Sequence, residues 1–141
     1  MIDFFYHTLE AIGFAHPVHP AITHLPMGMA MGGFIFLLGS VVLKKDELVK
    51  TAHYCVVLAL LFVVPTMVLG IMDWQYKFDG EWSNLIMFKL LLALIFCGLL
   101  LSAFTVGKKE KANIKHLFIL YGIIMLNAIG LGFIGGELMY G

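Results

Sequence analysis

The chain has 141 residues, of which 61% are hydrophobic and only 13% charged, and its formal net charge is zero. Soluble domains are nearer half apolar and a quarter charged, so the composition points away from a soluble protein. A neutral chain also argues against a nucleic-acid partner, which requires a basic face.

The length predicts a single domain, residues 1–141, and the mean hydropathy of +0.96 predicts that it lies in a membrane. The first fifteen residues, MIDFFYHTLEAIGFA, carry Asp3 and Glu10 and lack the basic start of a secretory signal. Phe4, Phe5, Leu9 and Ile12 recur at helical spacing, which predicts a short interfacial helix with His7 solvated on it. Next comes HPVHPAITHLP, residues 16–26, which gathers three of the six histidines and three of the four prolines. Its prolines predict an extended, rigid approach to the first apolar run.

Four uncharged runs follow: Leu25–Leu43, Tyr54–Met72, Leu90–Val106 and Leu117–Gly136. Each is close to the ~20 residues a helix needs to cross the hydrocarbon layer. Runs so continuously apolar are not barrel strands, so the expected fold is all-α. The short connections Lys44–His53, Asp73–Lys89 and Gly107–His116 force antiparallel neighbours, giving an up-down four-helix bundle. The first and third connections are lysine-rich, with Lys44, Lys45, Lys50, Lys108, Lys109, Lys111 and Lys115. The second has Lys77 against Asp73, Asp79 and Glu81. The lysine-rich connections are therefore expected in the cytoplasm, with both termini and the His-Pro segment in the periplasm of a bacterial inner membrane. Trp74, Tyr76 and Trp82 fit an interfacial aromatic belt, and Pro65 is expected to kink the second run. A GxxxG at Gly28 and Gly32 and another at Gly132 and Gly136 predict close packing of the first and fourth runs. The alternative is that these glycines make room for a flat porphyrin.

The candidate chemistry lies in the histidines. His53 and His116 begin the second and fourth runs at one depth, and two facing imidazoles are what a six-coordinate haem iron takes. The bland reading is that both merely mark the interface. At the other edge His16, His19 and His24 admit three readings. One ligates an outer haem, two or three hold copper or zinc, or all three hydrogen-bond the segment to neighbouring helix ends. Met27 and Met31 share a helical face with His24, which suits Cu(I) or plain apolar packing. Lys89 lies about one turn into the third run and is expected to snorkel or to find Asp73, Glu137, a haem propionate or a quinone oxygen. Asn127 predicts an interhelical hydrogen bond. Cys55 and Cys97 form no CxxC pattern and read as buried, inert thiols.

HPVHPAITHLPMG, GIMDW at Gly70–Trp74 and GGELMYG at Gly135–Gly141 together resemble the bacterial membrane-protein family called domain of unknown function 2231, over residues 16–141. The resemblance implies a four-helix inner-membrane protein whose three motifs gather at one membrane face. The motif positions are His16, His19, His24, Asp73, Trp74, Gly135, Gly136, Glu137 and Tyr140. Two features depart from the family pattern: Lys89 stands where a histidine is common, and the further His-Gly after the final tyrosine is missing.

With no GxSxG, HExxH or Gly-rich phosphate loop, a hydrolase or transferase has no foothold. The leading expectation is a small electron-transfer protein with one or two b-type haems, working between a membrane quinol and a periplasmic redox partner. In it His53, His116, His16, His19 and His24 are the candidate ligands and Lys89 contacts the cofactor. The alternatives are a cofactor-free subunit of a larger respiratory complex and a copper- or zinc-handling protein; a homodimer is compatible with the GxxxG faces.

Overall fold

The computed structural model describes residues 2–13, 18–108 and 113–140. It is all-α, with helices α1 (Ile2–Ala11), α2 (His19–Leu43), α3 (Glu47–Lys77), α4 (Asn84–Gly107) and α5 (Ile114–Tyr140). Helices α2 to α5 are the four apolar runs, each long and apolar enough to cross a membrane. Even the shortest, 24 residues in α4, reaches about 36 Å at 1.5 Å per residue, more than the ~30 Å hydrocarbon thickness.

The helices form a ring. Each of α2–α3, α3–α4, α4–α5 and α2–α5 packs directly, α2 against α3 most extensively, and neither diagonal pair does. This is the up-down bundle that the short connections predict, and α2 does touch α5. Five buried alanines, Ala30, Ala52, Ala59, Ala103 and Ala128, bring the backbones together. In lipid, where apolar side chains gain little by leaving their surroundings, such close packing is a main source of helix association. Large apolar residues such as Ile35, Leu61, Leu94, Leu126 and Phe133 point outward, as a lipid-facing surface requires.

The helix ends lie further out than the uncharged runs. The first connection is only residues 44–46, and α3 starts at Glu47, so Lys50 and His53 are helical. At its other end α3 continues through Asp73, Trp74 and Tyr76 to Lys77. These residues read as a loop because they are polar or aromatic, yet their polar groups find partners in α1, at the start of α2 and in the connection that follows. The turn that follows uses left-handed backbone at Asp79 (φ 50°) and Gly80 (φ 68°). Ser83 then caps α4 by accepting from the Ile86 N–H at 3.2 Å.

The His-Pro segment also differs from the extended approach. The helix begins at His19, with Pro20 in its first turn, where a missing N–H costs nothing. Pro26 lies inside α2 and is buried. His16 falls outside the described residues.

The glycine pattern is only partly as expected. A Cβ added at Gly28 would meet nothing within 4 Å, and one at Gly32 only the Cys55 Sγ at 3.9 Å. Neighbouring Gly33 makes the close approach instead: a Cβ there would lie 3.3 Å from the Ala52 carbonyl oxygen and 3.4 Å from the Tyr121 ring. At Gly132 an added Cβ would lie 3.0 Å from the tip of Met27, so there α5 admits a side chain of α2 rather than its backbone. Asn127 departs too: its Oδ1 is buried without a hydrogen-bond partner among the described residues. Replacing Gly33 by Leu is expected to destabilise the bundle by about 1–3 kcal/mol through overpacking, whereas Gly28→Ala leaves the melting temperature in detergent unchanged or slightly raised.

Candidate functional site

The residues of the His-Pro segment, the GIMDW motif and the GGEL motif meet at one end of the bundle. The centre of this site is the carboxylate of Asp73, which is 4% exposed. Asp73 Oδ2 accepts from the His19 N–H at 2.8 Å and Oδ1 from the Val18 N–H at 3.3 Å. Val18 provides no side-chain cap for α2, so a carboxylate from α3 serves instead. It satisfies otherwise orphaned N–H groups and places negative charge at the positive end of the α2 dipole. The hydroxyl of Tyr6, in α1, also donates to Oδ1.

Tyr6 explains why α1 docks at all. It is the buried residue of that helix, at 2% exposure, and its ring stacks on Tyr76 with centroids 4.2 Å apart. Lys77 reaches Glu10 at 3.6 Å and lies over both tyrosine rings. The expected apolar face of α1 points elsewhere: Phe4 and Ile12 are each 77% exposed. His7 is exposed, as the sequence reading had it, and lies 3.7 Å from Glu10. Burial and the Asp73 carboxylate both push the Tyr6 phenol above its ordinary value.

His19 is fixed twice. Its backbone N–H is held by Asp73, and its ring Nδ1 lies 2.8 Å from the Thr66 carbonyl on α3. A carbonyl only accepts, so Nδ1 carries the proton, and in the neutral ring Nε2 keeps its lone pair. Gly70 provides the space: a Cβ there would lie 3.0 Å from His19 Nδ1 and 3.1 Å from Cε1. Lys89 on α4 lies beside Gly135 of α5, its Nζ at ordinary contact distance, 3.8 Å, from where a Cβ would be. Among the described residues Lys89 makes no hydrogen bond or ion pair, although Asp73 acts on it electrostatically. Glu137 is exposed.

His19, Lys89, Asp73 and Trp74 border a cavity of about 130 Å³ between the four long helices. Its walls are mostly apolar, with Met27, Val63, Met67, Phe96 and Leu131. Trp74 is held by donating its Nε1–H to the Glu81 carbonyl at 2.8 Å, and its ring packs against Trp82. The aromatic belt is therefore built from the last turns of α3 and the connection after it. His19 opens α2, Asp73 lies four residues before the end of α3 and Lys89 five residues after the start of α4, so none is more than about 8 Å inside its helix end.

The family model described as predicted membrane protein (DUF2231) matches residues 15–141. The chain belongs to this family. No curated protein and no solved structure matches it. Of the motif residues, His19 on α2, Gly70, Asp73 and Trp74 on α3 and Leu138 on α5 border the cavity, while Gly135 lies beside Lys89.

The remaining sequence candidates lie elsewhere. His24 is exposed on α2 and does not border the cavity, whereas Met27 does. Among the described residues no three His, Cys, Asp or Glu side chains come together as a metal site. At the opposite end His53 stacks on Phe104 of α4, with centroids 5.9 Å apart, and its Nδ1 is buried against Gly107 without a hydrogen-bond partner. His116 is exposed on α5, and no hydrogen bond or ring contact joins it to His53. Cys55 is buried and Cys97 half-buried, both as free thiols. Sequence reasoning missed Tyr6 and Thr66. Neither belongs to a motif, and only the folded chain shows what each holds.

Two predictions follow from these contacts. Gly70→Ala is expected to displace the His19 ring from Thr66, read as a changed His19 ring signal by NMR in detergent with the bundle still helical. Docking of α1 should weaken as pH rises past the ordinary tyrosine value of 10.0, because the folded state holds the Tyr6 proton more tightly and its advantage is full only below that value. Hydrogen exchange over residues 2–11 checks this, and Tyr6→Phe should show faster exchange at neutral pH and lose the alkaline step.

Proposed function

We propose that this protein is an electron-transfer component of the bacterial inner membrane that receives a membrane quinol at its His-Pro end. The observation that carries the reading is the cavity itself. It is apolar, lies a short way inside the bundle, and is edged by one immobilised imidazole and one ammonium group. Its size suits a single ring: a cavity of about 150 Å³ in another protein holds one benzene. The lysine-rich connections share one end of the bundle, and the rule that positive loops stay inside supports a periplasmic placement of the quinol site.

The electrons need an acceptor. Our sequence reading assigns that role to a b-type haem held by His53 and His116. The flat stacking of His53 on Phe104 favours the second arrangement, in which the acceptor belongs to a redox partner or to another subunit of a respiratory complex.

A redox difference spectrum and a quinone-binding measurement on the detergent-purified protein test the proposal together. Quinone binding with no Soret band is the expected result and assigns the acceptor to a partner. A Soret band that shifts on adding quinol, and is lost in both His53→Ala and His116→Ala, supports electron transfer with the haem in this chain. Absence of both quinone binding and a Soret band overturns the proposal.

A further inference from the structure

We infer that the His-Pro cavity selects an uncharged, hydroxyl-bearing aromatic ring, with Lys89 donating to one ring oxygen and His19 Nε2 accepting a hydroxyl proton in a hydrogen bond. This rests on the quinol reading above and names the residues and the charge state it requires.

The hydrogen-bond inventory supports it. Asp73 borders the cavity, but both carboxylate oxygens are already engaged, by Tyr6, Val18 and His19. The Thr66 hydroxyl is spent on the Phe62 carbonyl at 2.7 Å, and the Thr23 hydroxyl on the His19 carbonyl at 2.6 Å. The Trp74 Nε1–H is committed to Glu81. Two polar groups on the wall are left without hydrogen-bond partners among the described residues, His19 Nε2 and Lys89 Nζ. One is an acceptor in the neutral ring and the other only donates. A ligand that satisfies both must accept at one point and donate at another. A hydroquinone ring does so; a hydrocarbon or a simple ketone does not.

Charge decides against an anion. Asp73 and Lys89 face one cavity with opposite charges, so the site is neutral when the imidazole is neutral. A fatty carboxylate would add an uncompensated negative charge to an apolar enclosure, which is costly. It would also present only acceptors to His19 Nε2. Gly70 fits the same reading, since a side chain there would press on the His19 ring and shift it from its place on the cavity wall.

The test uses the native tryptophan as reporter. The chain has two tryptophans, so Trp82→Phe leaves Trp74, on the cavity wall, as the sole indole. In that background decylhydroquinone, decylbenzoquinone and decanoate are titrated against the detergent-purified protein and its Lys89→Met and His19→Gln variants, with circular dichroism as the check on folding. The expected result is saturable quenching by decylhydroquinone, about tenfold weaker or more in each variant, and no displacement by decanoate. The His19 variant should lose more for the hydroquinone than for the quinone, which has no hydroxyl to donate. Equal binding by all three proteins overturns this assignment while leaving the quinol reading in place. Competition by decanoate overturns the neutral-ligand claim. No binding of either ring compound by the wild-type cavity overturns the quinol reading as well.

Discussion

The buried carboxylate of Asp73 is the constraint around which the His-Pro end is arranged. A carboxylate stripped of water costs several kcal/mol unless its lone pairs are filled. Here three donors fill them, and they come from two different segments: the Tyr6 hydroxyl of α1, and the Val18 and His19 N–H groups where α2 begins. Each contact solves a second problem. The two N–H groups belong to a helix end with no cap of its own, and Tyr6 is the buried anchor of an otherwise exposed helix. The position of His19 follows directly, because the N–H held by Asp73 is its own. One hydrogen bond fixes the backbone and another, to Thr66, fixes the ring.

Glycine has two separate uses in this bundle. At Gly33 it lets helices approach, with the Ala52 carbonyl and the Tyr121 ring at contact distance. At Gly70, Gly107 and Gly132 it makes a slot for a neighbour's side chain: His19, His53 and Met27 in turn. A long polar or ionisable side chain in lipid is costly unless it is folded against protein. A slot on the adjacent helix does this without a gap in the packing. One of the three slots, at Gly70, holds the imidazole on the cavity wall that has hydrogen-bonding capacity to spare.

The architecture was legible because lipid makes hydropathy nearly sufficient. Four uncharged runs and three short connections leave one simple topology, and the structure has it. The helix ends were not legible. Asp73, Trp74 and Tyr76 look like loop residues until Tyr6, Glu81 and the α2 terminus are seen to satisfy them. For the site, His19, Asp73 and Lys89 were marked by their chemistry, since a histidine-proline repeat and charge inside an apolar run are conspicuous. Tyr6 and Thr66 were not, because nothing in sequence says that a phenol at position 6 meets a carboxylate at position 73. On α2 the GxxxG rule picked the right helix but the wrong glycines, while on α5 its Gly132 does meet α2. It counts spacing, and the rotation of α2, set by what packs on either side, turns Gly33 inward and Gly28 out.

The two ends of the bundle show how alike residues acquire different capacities. Each has a histidine on α3 or α2 lying in a slot made by glycine. At the lysine end the ring of His53 lies on Phe104, with Lys108 close by over the same phenyl group, and its Nδ1 faces the α4 backbone. That imidazole is packed as an aromatic surface. At the His-Pro end the ring is oriented by a carbonyl through Nδ1, which defines the tautomer and leaves the second nitrogen uncommitted beside a cavity. Orientation by a backbone acceptor, an enclosed space to face and a cation nearby are what separate a histidine equipped for chemistry from one that fills a groove. The family motifs converge on the first kind, which is why the functional reading belongs at this end of the molecule.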